Sequence, residues 1–178
     1  MAVAPTLRSV QALYGKLERE AYRAFHHRKV VHKADHFYNF CVTAHSMRDY
    51  YIECVSATAS ETSSFHRMWS QEPLIAAVAD IANSAKHFML RDSTRHPRSP
   101  RLKGVRRSRS GVFDVYQTSD GELLTNVESR PDLVVTLLDG SRYELYSFVF
   151  RVLEYWRLFL RTRGIKVRRQ SLSQLSGA

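Results

Sequence analysis

The stretch Pro73 to Leu90, PLIAAVADIANSAKHFML, constrains the fold more than any other part of the chain. At about 100° per residue, Leu74, Val78, Ile81, Ala85 and Phe88 form one apolar helical face, while Asp80, Asn83 and His87 gather opposite, beside Ala76 and Ala79. A helix that meets water on its far side carries Lys and Glu there. Small residues mixed with Asp, Asn and His imply a helix packed on both faces. The sequence therefore predicts a bundle with this segment, about 73–90, at its centre, and a polar row that serves as an interface or a site.

The segments before it are helical too. Leu7, Val10, Leu13, Leu17, Ala21 and Phe25 recur at three- and four-residue spacing over about 5–28, with Lys16, Glu20 and Arg23 on the side assigned to solvent. A second helix over about 31–57 aligns Ala34, Phe37, Cys41, Ala44, Tyr51 and Val55, with Arg48 inside that stripe and His45 and Asp49 at its edge. A charge on a core stripe needs a partner, so Arg48 is expected to meet Asp49 or Asp80. Ser56 to Ser64 reads as a Ser/Thr-rich turn, followed by a short helical piece carrying Trp69, and Pro73 suits a first helical turn.

Beyond the central helix, residues 91–110 have few apolar side chains and two prolines, and are expected to be a long basic loop. The periodicity then changes. GVFDVYQT and ELLTNVES flank Asp120-Gly121, and DLVVTLL and SRYELY flank Asp139-Gly140, two hairpin signals between strands. From about Leu145 the helical spacing returns through Phe148, Val149, Val152, Trp156 and Phe159 and ends at Gly164. The expected fold is mainly α: a single domain over 1–178, a four-helix bundle-like body (5–28, 31–57, 73–90, 145–163) with an antiparallel β insertion of three to four strands over 111–144 before the last helix. The tail 165–178 is expected to fray.

Charge narrows the partners. Net charge is +10, and Arg91–Arg109 with Arg161–Arg169 hold 13 of the 27 bases and one of the 17 acids, leaving 14 bases and 16 acids elsewhere, a balance of −2. A near-neutral body with concentrated bases points to RNA or another polyanion, with Arg95, Arg98, Arg101, Lys103, Arg106, Arg107 and Arg109 as contacts. No run approaches the roughly 18 apolar residues of a membrane span. Cys41 and Cys54 lie about 20 Å apart along one helix, too far for a disulfide, which suits reduced, half-buried thiols and a cytoplasmic location.

Most catalytic signatures are absent: there is no Gly-rich phosphate loop, zinc spacing, Glu-x-x-His pair or nucleophile elbow. His32 and His36 form a one-turn pair of the kind that binds metal, but solvated histidines are the simpler reading, and neither metal nor cofactor is expected. ANSAKHF followed by MLRDSTRH resembles the helical HEPN superfamily, bundles of this size, many of them metal-independent ribonucleases of toxin–antitoxin and phage-defence systems. Their hallmark is an Arg, commonly followed by a polar residue, with a His a few positions on. In one register Asn83 and His87 match while Ala82 stands at the Arg position; in the other, Arg91, Asp92 and His96 match in full.

The resemblance spans roughly 31–96, and the inserted strands depart from it. It implies catalytic roles among Asn83, Lys86, His87, Arg91 and His96, supported by a polar cluster of His45, Arg48, Asp49 and Asp80, with RNA as substrate, a homodimer and an antitoxin partner. His and Arg together can deprotonate a 2′-hydroxyl, protonate the leaving 5′-oxygen and neutralise the phosphorane without a metal. The alternative is a catalytically inactive HEPN-like binding or dimerisation module.

Overall fold

The computed structural model describes residues 6–84 and 102–167, with only the backbone at 112–114 and 116. Ser9 caps α1 (Val10–His26) by accepting from the Ala12 amide, and three residues later the chain reverses into α2 (Val30–Cys54). The two helices bury Leu13, Leu17, Ala24, Phe37, Phe40, Cys41, Ala44 and Met47. α2 ends on Ser56, the one described non-glycine residue with positive φ (50°), where the Ser56 amide bonds to Glu53 and the Ala57 amide to Ile52.

α3 (Ala59–Gln71) starts inside the Ser/Thr-rich stretch that composition assigns to a turn. Thr58 and Glu61 form a reciprocal capping box, which supplies the start signal and holds the Glu61 carboxyl below its ordinary range. The fold thus has five helices, not four, among the described residues. Glu72 then breaks the chain before Pro73 opens α4 (Pro73–Ser84).

Every residue from Leu74 to Ala79 is buried, as are Ile81 and Ala82, so α4 is packed on both sides as its composition demands. α5 (Leu145–Arg161) buries Leu145, Phe148, Val149, Val152, Trp156, Phe159 and Leu160, the face its spacing predicts. Gly164 at φ 78° turns the chain back, with the Ile165 amide on Leu160 and the Gly164 amide on Arg161. That reversal lays Ile165 and Val167 against the core, so the expected fraying does not hold there.

The sheet is antiparallel with strand order β1 (Leu102–Gln117), β2 (Leu123–Leu137), β3 (Arg142–Glu144). Both Asp-Gly pairs make the predicted hairpins, with Gly121 at φ 90° and Gly140 at φ 87°. Two expectations are corrected. Residues 102–110 of the supposed loop are strand, because Leu102 pairs with Leu137 and Gly104 to Ser110 pair with Thr136 back to Arg130, which supply the apolar contact that β1 itself lacks. ELLTNVES and DLVVTLL form one strand running through Pro131 rather than two.

The result is a two-stranded ribbon about 50 Å long, rooted in the bundle. Leu102, Leu133, Val135 and Leu137 enter the core, whereas no described side chain from Arg109 to Arg130 is buried. β3 reaches only Val134, Val135 and Thr136.

Polar groups are buried where amphipathic patterning assigns solvent. Glu20 is buried, accepting from Arg23 at 3.1 Å and facing His36 Nδ1 at 3.2 Å, and Lys16 donates to Thr43 at 2.6 Å. The far side of α1 therefore packs on α2. Burial lowers the Lys16 ammonium below its ordinary range. Ala34 and Val55 are exposed, not on the core stripe, and of the thiols Cys41 is buried while Cys54 is exposed.

Candidate nucleic-acid interface

A concentration of positive charge lies at the root of the ribbon. Gly104, Arg106 and Ser108 alternate onto one face of β1, directly opposite Thr136, Val134 and Asp132 of β2, and Thr136 is in turn opposite Arg142 of β3. A register shift between Leu102 and Gly104 leaves Lys103 as an extra, exposed residue beside that face.

Lys103, Arg106, Arg107 and Arg142 line a groove of about 350 Å³ there, with Ser108 and Thr136 as hydroxyl-bearing neighbours and no acid in its lining. Gly104 keeps the floor open: a Cβ built on it meets nothing within 4 Å. Four cations around one concave surface can hold an anion such as a phosphate, the arginines through planar forks and the lysine as a point charge.

The structure divides the expected contacts. Lys103, Arg106 and Arg107 share the groove. Arg109 is turned across the ribbon, with Nε donating to Ser129 Oγ at 3.0 Å and Nη2 to the Ser129 carbonyl at 2.9 Å. Arg95, Arg98 and Arg101 lie outside the described residues. Arg142 was missed by sequence reasoning. The signal was present in the Asp139-Gly140 hairpin, whose tight turn sets Arg142 opposite Thr136.

The polar row of α4 divides similarly. Asp80 accepts from the Leu102 amide at 3.0 Å, so the end of α4 is fastened to the start of β1, one residue before Lys103. Asn83, one turn further on, is exposed. Ala82 is buried, and its carbonyl accepts from the Tyr38 hydroxyl at 3.3 Å. Lys86, His87, Arg91 and His96 lie outside the described residues.

Arg48 is buried as its stripe position predicts, but the side chain donates to the Ile75 carbonyl at 3.0 Å and stands 5.8 Å from the Trp69 ring centroid. A helical backbone acceptor was not part of the expectation. Asp49, one of its two expected partners, is exposed, and His45 is half-buried.

The histidine group is tighter than spacing implied. The His27 ring lies 4.7 Å from that of His32 and 5.7 Å from that of His36. Desolvation, and then the neighbouring His32 and His36, lower the His27 pKa below its ordinary value. Among the described residues no group of three or more His, Cys, Asp or Glu could hold a metal ion, and no helix is long and apolar enough to cross a membrane. No family model, curated protein or solved structure matches the chain.

Proposed function

We propose that the protein binds RNA through the groove at the ribbon root, as an HEPN-like RNA-binding domain. The observation that carries this is the convergence of Lys103, Arg106, Arg107 and Arg142 on one groove without an acid in its lining. Each phosphate neutralised by such a group releases counterions, so affinity falls with salt in proportion to the contacts made. A reducing cytoplasm suits both an RNA target and two cysteines that share one helix.

The test is the salt dependence of binding to a labelled single-stranded RNA, read by fluorescence anisotropy. Arg106→Ser, Arg107→Ser and Arg142→Ser combined should flatten the log–log slope by about 0.7 per lost phosphate contact. Arg109→Ser should change it less, since that guanidinium is already held by Ser129. An unaltered slope in the triple variant removes the groove as the binding surface.

A second reading is metal-independent cleavage by the same surface, supported by the Asp80–Leu102 bond that fastens the end of α4 to the root of the ribbon. Against it stand Ala82, buried at the motif's Arg position, and Arg48, packed in the core and thus withheld from a polyanion. Binding is therefore the primary reading, and cleavage would rest on His87 or His96.

A further inference from the structure

We propose that the outer edge of β1 pairs antiparallel with the same edge of a second copy of this chain, about a two-fold axis through Ser110. The ribbon is incomplete as it stands. An isolated two-stranded hairpin is marginal in water, and among the described residues no third strand covers β1, or β2 beyond Val134. Val115, Leu123 and Val127 are 61%, 66% and 59% exposed near its tip. A partner that adds strands would complete this sheet.

Charge identifies the partner as another copy. Lys103 to Arg109 of β1 carry four bases and no acid, and the facing part of β2 adds Arg130 and an Asp132 already paired with Lys33, whereas from Ser110 to Ser129 the ribbon carries Asp114, Asp120, Glu122 and Glu128 and no Lys or Arg. Two ribbons side by side in the same direction would set like charge on like. In opposite directions, the acidic half of each runs along the basic half of the other. The β1 edge is the better template, since β2 contains Pro131, which lacks an N–H, and β1 contains no proline.

Pairing rules then fix the register. In an antiparallel pair, opposite residues are either both hydrogen-bonded to each other or both not, and neighbours along a strand alternate between the two states. A strand related to itself by a two-fold axis therefore has that axis through a residue, never between two. For Leu102–Gln117 the centres giving the greatest overlap are Arg109 and Ser110. The first sets Arg109 against its own copy, which is unfavourable. The second sets Arg106 opposite Asp114 twice, Val105 opposite Val115 twice, and no base opposite a base. The pairing uses Arg106, which also lines the groove, but it rests on the open edge and the charge pattern, and its tests read association and distance rather than RNA binding.

The test uses the full chain with Cys54→Ser, which removes the exposed thiol and leaves Cys41 buried. A nitroxide on Ser110→Cys should report an inter-chain separation under about 20 Å, adjacent strands being about 5 Å apart before the label arms are added. One on Ser119→Cys should report about 60 Å, from eighteen residues of strand rise. In sedimentation, Arg106→Glu and Asp114→Arg should each weaken the dimer, and the two combined should restore it. A monomer at high concentration and low salt, a short distance at Ser119, or a dimer indifferent to the single charge reversals would each overturn the proposal.

Discussion

Lys33 Nζ lies 3.3 Å from Asp132 Oδ1, joining α2 to β2 across 99 residues of sequence, with both side chains about 4% exposed. It is a buried ion pair at the point where the ribbon leaves the bundle. The Lys33 ammonium also stands 5.8 Å from the Phe25 ring centroid. Such pairs repay their own desolvation poorly, yet leaving one charge alone in the interior costs about 3–5 kcal/mol. Lys33→Met and Asp132→Leu should each lower the denaturation free energy by that order, while the double replacement should recover much of the loss. Urea unfolding of the three variants checks this; equal losses that simply add would show that the pair is not coupled.

The helices and hairpins were legible because each depends on local sequence. The face of α5 follows from the spacing of Phe148, Val152, Trp156 and Phe159, and both hairpins from Asp-Gly pairs that supply a residue able to adopt positive φ. β1 was misread because its first half, Lys103 to Ser110, has almost no apolar alternation of its own. Its strand state comes from Val134, Val135 and their neighbours on β2, a non-local cause. The Thr58 and Glu61 signal for α3 was present and was outweighed by Ser/Thr composition. The Lys33–Asp132 contact and the burial of Glu20 depend on where helices cross, which periodicity along one helix does not specify. At the candidate site, Lys103, Arg106 and Arg107 were legible as bases, but their meeting with Arg142 needed the strand register.

Gly104 offers a test of the groove that leaves its charges in place. A Cβ at this position meets nothing within 4 Å, and a β-branched residue suits a strand better than glycine does. Gly104→Val should therefore fold with equal or slightly greater stability. Its side chain would stand on the floor between Arg106 and Thr136 and hold phosphate away from the cations. Weaker RNA binding with an unchanged thermal midpoint is the expected result. Unimpaired binding would mean that the nucleic acid does not enter this groove.

The corner between α1 and α2 should soften in acid. The His27 pKa is lowered in the fold, where desolvation and the nearby His32, His36, Lys29 and Lys33 disfavour its cation. The unfolded chain therefore takes up this proton more readily than the native one. Stability from this group is complete above the ordinary value of 6.5 and is lost as pH falls through that value toward the lowered native one. The thermal midpoint should drop between pH 7.5 and 5.5, and His27→Gln should reduce that drop. An identical pH dependence in the variant would assign the effect elsewhere.

Cleavage and binding separate by which substitution acts on which step. If the surface is a ribonuclease, its chemistry relies on imidazole and guanidinium groups, so cleavage of a bound RNA should persist in EDTA. His87→Ala or His96→Ala should then lose about 10² to 10⁴ in single-turnover rate, as expected for removal of a general acid or base, while RNA affinity holds. Loss at His96 makes Arg91 its partner. Loss at His87 instead assigns the motif's polar position to the exposed Asn83 and requires the charge function to come from the groove, because Ala82 stands where the Arg would be and Arg48 is committed to the Ile75 carbonyl. Combined Arg106→Ser and Arg107→Ser would in that case reduce rate and affinity together. RNA that binds with the predicted salt slope but stays intact through long incubation with the parent protein would leave the groove as a binding surface alone, and would assign Asp80 the structural task of fastening β1 to α4.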